Sequence, residues 1–422
     1  MRKYFLLPFL AAVLFQPLFA LSAESGSSGL VEPGGPLSLD TALSLTLQAN
    51  AEVSAATREL EAVEATVTQA GVLPNPELQT LAEDRRRESR TTTVQINQRI
   101  SLSGKRSARV RAAERSRDIA GSDLSATRAD IRAGLIAAFF DVLIAQERLR
   151  LAQASADLAK RGTSVATKRV AAGKVSPVEE TKARVAEAGV KIELAQAASE
   201  LRSTRQRLTA YWGNPSPRFD AAVGEANSLP DAGNLDDVVQ RLDTTPEMRR
   251  ASLEVERRRA LTDVERSSRI PDVTVSLGAK RDELLGRTLA IVGLSIPIPL
   301  FDRNQGNLGE AISRQDKARD ELAATRVRVQ GEAMQAWQQL DMARSEALVL
   351  ESEVLPGAQS ALDAATTGFE YGKFAFLDVL DAQRTLFQAR AQYLRALSSV
   401  HRARAQLDSI LGTGTNNIAE QK

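Results

Sequence analysis

One order of motifs occurs twice in this 422-residue chain, and the duplication restricts the folds open to it. Each half has a helix-type run, a short proline-bounded strand pair, a very long helix-type run, a Gly-Lys turn and another long helix-type run. Val170-Ala171-Ala172-Gly173-Lys174 in the first half answers to Glu370-Tyr371-Gly372-Lys373 in the second. Arg207-Leu208-Thr209-Ala210-Tyr211-Trp212-Gly213 answers to Gln406-Leu407-Asp408-Ser409-Ile410-Leu411-Gly412. Gly372 follows Gly173 by 199 residues, and Gly412 follows Gly213 by the same 199, so the halves stay in register. A unit this long is a duplicated half-domain, not a solenoid repeat.

Composition narrows the class further. A chain 43% hydrophobic and 26% charged folds, but 4% aromatics is too few for a thick globular core. Ala, Arg, Gln, Glu and Leu dominate, as in long helices. A formal charge of +2 provides no field that would draw the chain to nucleic acid. Without cysteine, disulfides, thiol catalysis, Cys-bound zinc and a lipid-modified N-terminal Cys are all ruled out. The N-terminus has an export layout: Arg2-Lys3, an apolar run to Phe19, then small residues through Ala20-Leu21-Ser22-Ala23. That run is short of the ~20 residues a membrane span needs and contains Pro8 and Pro17, which favours a cleaved signal over an anchor.

The expected organisation is a signal peptide over 1–23, cleaved at about 20–23, a flexible lead over 24–36, a first repeat over 37–213, a linker over 214–234, a second repeat over 235–412 and a polar tail over 413–422. In the first repeat, short helices over 37–50 and 50–71 precede strands over 77–83 and 93–102. Helices then run over 104–172 and 178–212, separated at Gly173. The second repeat gives helices over 235–242 and 247–268, strands over 273–280 and 289–298, a long helix over 305–371 kinked at Pro356-Gly357, and a last helix over 375–411. The helices beginning at Asn50 and Val178 sum to nearly the length of the long one, so two shorter helices can stack end to end beside it. This builds a rod with strands at one end and the Gly-Lys turn toward the other.

The strands alternate. Val94, Ile96, Ile100 and Leu102 fall on one face of theirs, and Val292, Leu294, Ile296 and Ile298 on one face of another. Each approaches the 9–11 residues that cross a membrane at a tilt. Four strands in water would make a small helix-capped sheet. In lipid they cannot close a barrel, and open edges are forbidden there, so closure must come from other copies of the chain. Two copies supply eight strands and a filled interior; three supply twelve and room for a channel. Aromatic girdles are missing, with only Phe301 in position.

With these features in place, the sequence resembles the TolC family of trimeric outer-membrane efflux ducts over residues 37–412. The resemblance is carried by Leu73-Pro74-Asn75-Pro76-Glu77, by Gln98-Arg99-Ile100-Ser101-Leu102-Ser103-Gly104-Lys105-Arg106, and by Gly372 followed by Leu377-Asp378-Val379-Leu380-Asp381-Ala382. Leu294-Ser295-Ile296-Pro297-Ile298-Pro299-Leu300-Phe301-Asp302-Arg303-Asn304-Gln305-Gly306-Asn307 is most similar to the heavy-metal (cobalt–zinc–cadmium, CzcC-type) branch. The resemblance implies a mainly α protein with a membrane β-barrel: four strands per chain in a homotrimeric twelve-strand outer-membrane barrel, continued by a long periplasmic α-helical barrel. It implies a passive exit duct, partnered by a periplasmic adaptor (membrane fusion) protein and an inner-membrane RND pump, and passing divalent heavy-metal cations. A multidrug or organic-solute duct of the same family is the alternative, and a periplasmic coiled-coil adaptor or scaffold a further one.

No catalytic constellation is present: no H-E-x-x-H, no P-loop, no G-x-S-x-G elbow. The reading is therefore non-enzymatic and without cofactor. One histidine, His401, and Met248, Met334 and Met342 do not make a tight soft-metal site. His401, Trp212 and Trp337 read as packing residues, and Arg85-Arg86-Arg87 as a solvated loop. Asp378 and Asp381 share a face at a helix start, where carboxylates also favour the helix N-terminus by about 0.3–1 kcal/mol each. The family's matching segment lines the periplasmic constriction, which makes both gate candidates, with Glu179 and Glu180 in the equivalent place of the first copy. The periplasmic turn candidates are Gly173, Lys174, Gly372 and Lys373. The family's namesake latches this turn with a Tyr and an Arg; here Phe369 and Phe374 stand at those positions, so closure would rest on apolar contacts.

Overall fold

The computed structural model describes residues 32–84, 86–224, 229–371, 373–374 and 376–412. The expected signal peptide over 1–23 and tail over 413–422 lie outside the described residues, as do most of the lead, linker residues 225–228, Arg85 and Gly372.

The first half begins with β1 (Leu37–Ser38), α1 (Leu39–Ala49) and α2 (Ala51–Ala70). Asn50 separates the two helices: its Oδ1 accepts the Glu52 and Val53 N–H groups at 2.9 and 3.0 Å, capping α2. Then come β2 (Glu77–Glu83), β3 (Thr91–Ile100), α3 (Lys105–Ala171), α4 (Pro177–Ala210) and β4 (Ala222–Val223). The second half has α5 (Leu235–Arg241), α6 (Pro246–Ser268), β5 (Val273–Asp282), β6 (Arg287–Ser295), α7 (Gln305–Val349), α8 (Leu355–Glu370) and α9 (Phe376–Leu411).

Three expectations shift. The strand expected over 93–102 lies two residues earlier, because the chain must turn into α3 through Ser103 (φ 61) and Gly104 (φ 72), both left-handed. Ile296 and Ile298, expected inside a strand, lie beyond the end of β6, where Pro297 and Pro299 have no N–H to donate. The helix expected over 305–371 is interrupted by a π-helical turn at Leu350–Val354. Pro356 explains its position. A proline ring collides with the carbonyl four residues back and offers no N–H, and the widened turn absorbs both defects just ahead of it.

At 67 residues α3 is about 100 Å long. The helices α2 and α4 pack along it; α6 and α9 pack along α7, and α8 along α9. Each half has its own core. Leu135, Phe139, Val142, Leu208 and Trp212 anchor the first, and Leu340, Leu350, Leu397, Val400 and Leu407 the second. Elsewhere alanines, such as Ala108, Ala112, Ala159 and Ala318, let helices approach closely with little side-chain volume.

The halves are joined where α3 meets α9. Asp141 accepts both Nη2 and Nε of Arg402 at 2.8–3.1 Å and the Ser398 hydroxyl at 3.0 Å. One turn of contact is aromatic: the buried His401 ring stacks on Phe140 at 3.5 Å. Near the sheet, Lys105 Nζ reaches Asp272 at 2.6 Å across the halves, in a mostly buried pair.

The last residues of the expected flexible lead are tied down. Glu32 is buried and accepts Trp212 Nε1 at 3.1 Å, the Arg218 and Phe219 N–H groups at 2.6 and 3.1 Å, and the Asn214 side chain. Burial raises the carboxyl pKa, but these four donors outweigh it and hold the group below its usual range. The clamp leads into β1, which pairs in parallel with β4. Part of the expected linker is thus ordered against the lead.

The strands β2, β3, β5 and β6 form one antiparallel sheet in that order. Cross-strand register sorts the side chains. Leu78, Ile96, Leu277 and Val292 line up in one row on one face; Val94, Val275 and Leu294 extend that face. The opposite face carries Gln79, Gln95, Asn97, Thr93 and Ser276. The apolar face is exposed, with Val292 at 80% and Leu78 at 71%. No helix among the described residues is long and apolar enough to cross a membrane; this sheet carries the exposed apolar wall instead. Val292 is central on that wall. Val292→Arg should lower the stability of the membrane-inserted protein by about 2–4 kcal/mol. Measured as yield of folded protein in outer-membrane fractions, a parent-like yield would contradict the assigned facing.

Candidate functional site

The end of the rod opposite the sheet is built from two helical hairpins. In the first, α3 ends with Gly173 in the left-handed region (φ 67). Lys174 N–H bonds the Arg169 carbonyl at 2.9 Å and Gly173 N–H the Val170 carbonyl at 2.9 Å, the paired bonds that satisfy the last carbonyls of a helix. The second hairpin repeats the longer bond, Lys373 N–H to the Gly368 carbonyl at 2.8 Å. The companion glycine, Gly372, lies outside the described residues. Lys174 and Lys373 are both exposed on the turns.

Ser176 opens α4 with Pro177 in its first turn, where a missing N–H does no harm. Glu179 and Glu180 follow, both half-buried. Glu180 Oε1 accepts the Thr167 hydroxyl at 3.0 Å from α3 and an Arg184 N–H within α4. The Thr167 bond, then Arg184, hold its carboxyl below the usual range. Glu180 thereby ties the two arms of its own hairpin. In the second hairpin Asp378 and Asp381 are both exposed near the start of α9. Asp378 occupies the position of Glu179, while Lys182 stands where Asp381 does, so the paired carboxylates belong to one hairpin only.

The phenylalanines divide their roles. Phe369 lies under the Arg169 guanidinium, 4.4 Å from carbon to ring centroid. This cation–π contact joins the end of α3 to the end of α8, and hence one hairpin to the other. Phe374 is half-exposed and folds back over Gly368, where any Cβ would collide with its ring. Nothing local in the sequence marks Arg169, because its partner is in the other repeat, and the alignment of the halves does not reveal which positions touch.

The remaining candidates have structural surroundings. His401 and Trp212 are buried, Trp337 Nε1 donates to the Gly233 carbonyl at 3.3 Å, and Arg86 and Arg87 are exposed on the β2–β3 loop. Among the described residues no three His, Asp or Glu side chains gather as a metal site.

The family model described as outer membrane efflux protein matches residues 42–214 and again 238–413. The cobalt-zinc-cadmium resistance protein CzcC of Cupriavidus metallidurans is 50% identical over 417 residues, covering 98% of this chain and all of that one. Among solved structures, CusC superposes with a TM-score of 0.76 at 18% identity, over 89% of this chain and 92% of the other. The open state of the Neisseria gonorrhoeae MtrE outer membrane channel superposes with a TM-score of 0.75 at 20% identity, over 89% of each chain. A rod of paired helices ending in a sheet with an apolar outer wall, matched twice by one family, leads to a single conclusion: the chain belongs to the outer membrane efflux protein family.

Proposed function

We propose that this outer-membrane efflux protein is the exit duct for divalent heavy-metal cations, working as a homotrimer with a periplasmic adaptor and an inner-membrane RND-type pump. The observation that carries the metal assignment is the full-length 50% identity to the cobalt-zinc-cadmium resistance protein. Trimerisation is supported by the sheet itself: among the described residues β2 and β6 are its unpaired edges, and in lipid each needs a partner strand. In this reading the helices form the periplasmic conduit, the hairpin tips face the adaptor, and the duct itself performs no chemistry on its cargo. Deleting the gene should sensitise cells to zinc, cobalt or cadmium. Unchanged metal tolerance together with sensitivity to organic drugs would move the chain to the multidrug branch.

Asp378 and Asp381 make the entrance cation-favouring. In three copies, their six carboxylates surround one narrow mouth, where a focused field concentrates cations. Divalent ions bridge such carboxylates through oxygen ligands and block transiently. Asp378→Asn with Asp381→Asn retains size and removes charge. In planar bilayers this variant should lose cation preference and divalent block while still forming trimers; selectivity and block equal to the parent would reduce the aspartates to helix-start residues.

The Arg169–Phe369 contact holds the two hairpins of a chain together at the tip and so favours the closed duct. A contact of this kind is worth about 0.5–1 kcal/mol when exposed and about 2 kcal/mol when desolvated. Arg169→Gln and Phe369→Leu should each raise resting conductance, and the double variant should add little to either. Additive effects, or none, would show that the tip is held by other contacts.

A further inference from the structure

The polar face of the sheet contains a side-chain arrangement that the duct reading leaves unexplained. Gln79 on β2 and Gln95 and Asn97 on β3 form a bonded cluster. Gln79 Oε1 accepts Gln95 Nε2 at 2.8 Å and Asn97 Nδ2 at 3.0 Å, and Asn97 Oδ1 accepts Gln95 Nε2 at 3.2 Å. Gln95 Oε1 has no protein partner among the described residues and remains an open acceptor. On the neighbouring strands Gly278 stands beside Gln95, followed by Ile291, and Ser276 stands beside Asn97, followed by Gly293. Gly278 is required there, since a Cβ would run into the Val94 carbonyl and the Gln95 backbone. The cross-strand row Gln79, Gln95, Gly278, Ile291 has no charge at all. Charges stand to either side of it: Glu77 and Arg99 toward the helices, and Glu83, Lys280, Asp282 and Arg287 toward the loops, with Lys280 Nζ 3.7 Å from Glu83.

We propose that Gln79 and Gln95, held in place by Asn97, form a neutral carboxamide ring in the lumen of the exit barrel, over which hydrated divalent cations pass without being bound. This rests on the duct reading, in which the apolar face meets lipid and the polar face therefore meets water. The chemistry follows from the row. A carboxylate at this level would offer divalent cations a charged oxygen ligand. A carboxamide oxygen accepts hydrogen bonds from the ion's water shell but brings no net charge. Release to the exterior requires binding weak enough to leave, and a neutral acceptor meets that requirement. The mutual bonds hold the amides in fixed positions, and Gly278 beside Gln95 adds no side chain to the bore.

Two measurements test the ring. The chain has no cysteine, so a single introduced thiol reports its own surroundings. Gln95→Cys in intact outer membranes should react with a charged, water-soluble thiol reagent, and Leu277→Cys only with a lipid-soluble maleimide. The reverse pattern overturns the proposal. In planar bilayers, Gln95→Glu should be blocked by zinc added on the sheet side at a concentration on the order of tenfold below that needed for the parent. Equal zinc sensitivity, with water-accessible Gln95→Cys and a conducting parent, overturns the ring and leaves the duct standing. A parent chain that forms no pore overturns both.

Discussion

Backbone hydrogen bonding in a medium without water is the constraint on which the rest depends. The strands β2, β3, β5 and β6 satisfy one another internally, but the outer edges of β2 and β6 have no partner among the described residues. In lipid each unmatched N–H or C=O is costly, so the sheet is stable only as part of a closed ring. The duplication follows the same logic. Each half contributes one hairpin and one set of helices, and β3 pairs with β5 to weld the two hairpins into a single wall. The strand-to-helix turns at Ser103-Gly104 and at Asn304, all with positive φ, pass that wall directly into α3 and α7.

Below the wall, the helices solve a different problem. A long rod has too little interior for a globular core, and aromatics are correspondingly scarce. Alanines allow close helix approach along most of its length, and larger side chains collect in two main clusters, centred one on each half. The halves are then bridged by polar contacts: Lys105 with Asp272 near the sheet and Arg402 with Asp141 where α3 meets α9. At the tip the bridge is Arg169 over Phe369. Among the described residues the π-helical turn ahead of Pro356 falls between α7 and α8 alone, and the exposed aspartate pair is likewise confined to the second hairpin. The two repeats therefore share a fold but differ in the contacts at their tips. Glu180 fastens the first hairpin to itself, while Asp378 and Asp381 of the second are exposed.

Sequence by itself determined the elements and their order. Periodicity, the prolines at 74, 76, 297 and 299, and the glycines repeated at 199 residues are local or self-referential signals, and they specified long helices, two strand pairs and a duplicated plan. Alternation along β3 and β6 also announced one apolar face, because side chains of a strand alternate whatever it pairs with. Which residues meet across the repeats was decided only by the tertiary structure. Arg169 and Phe369, Phe140 and His401, Asp141 and Arg402, and Glu32 with its donors around Trp212 are each far apart in the chain. So were the cross-strand rows that put Gln79 beside Gln95 and reserve Gly278 for a close approach. Even Ile296, apolar and in phase, left the strand because Pro297 ended the ladder, a competition between neighbouring residues that alternation does not register. Local pattern sets what each residue favours; contact between distant segments requires the packed chain, where geometry selects among many pairings of similar local merit.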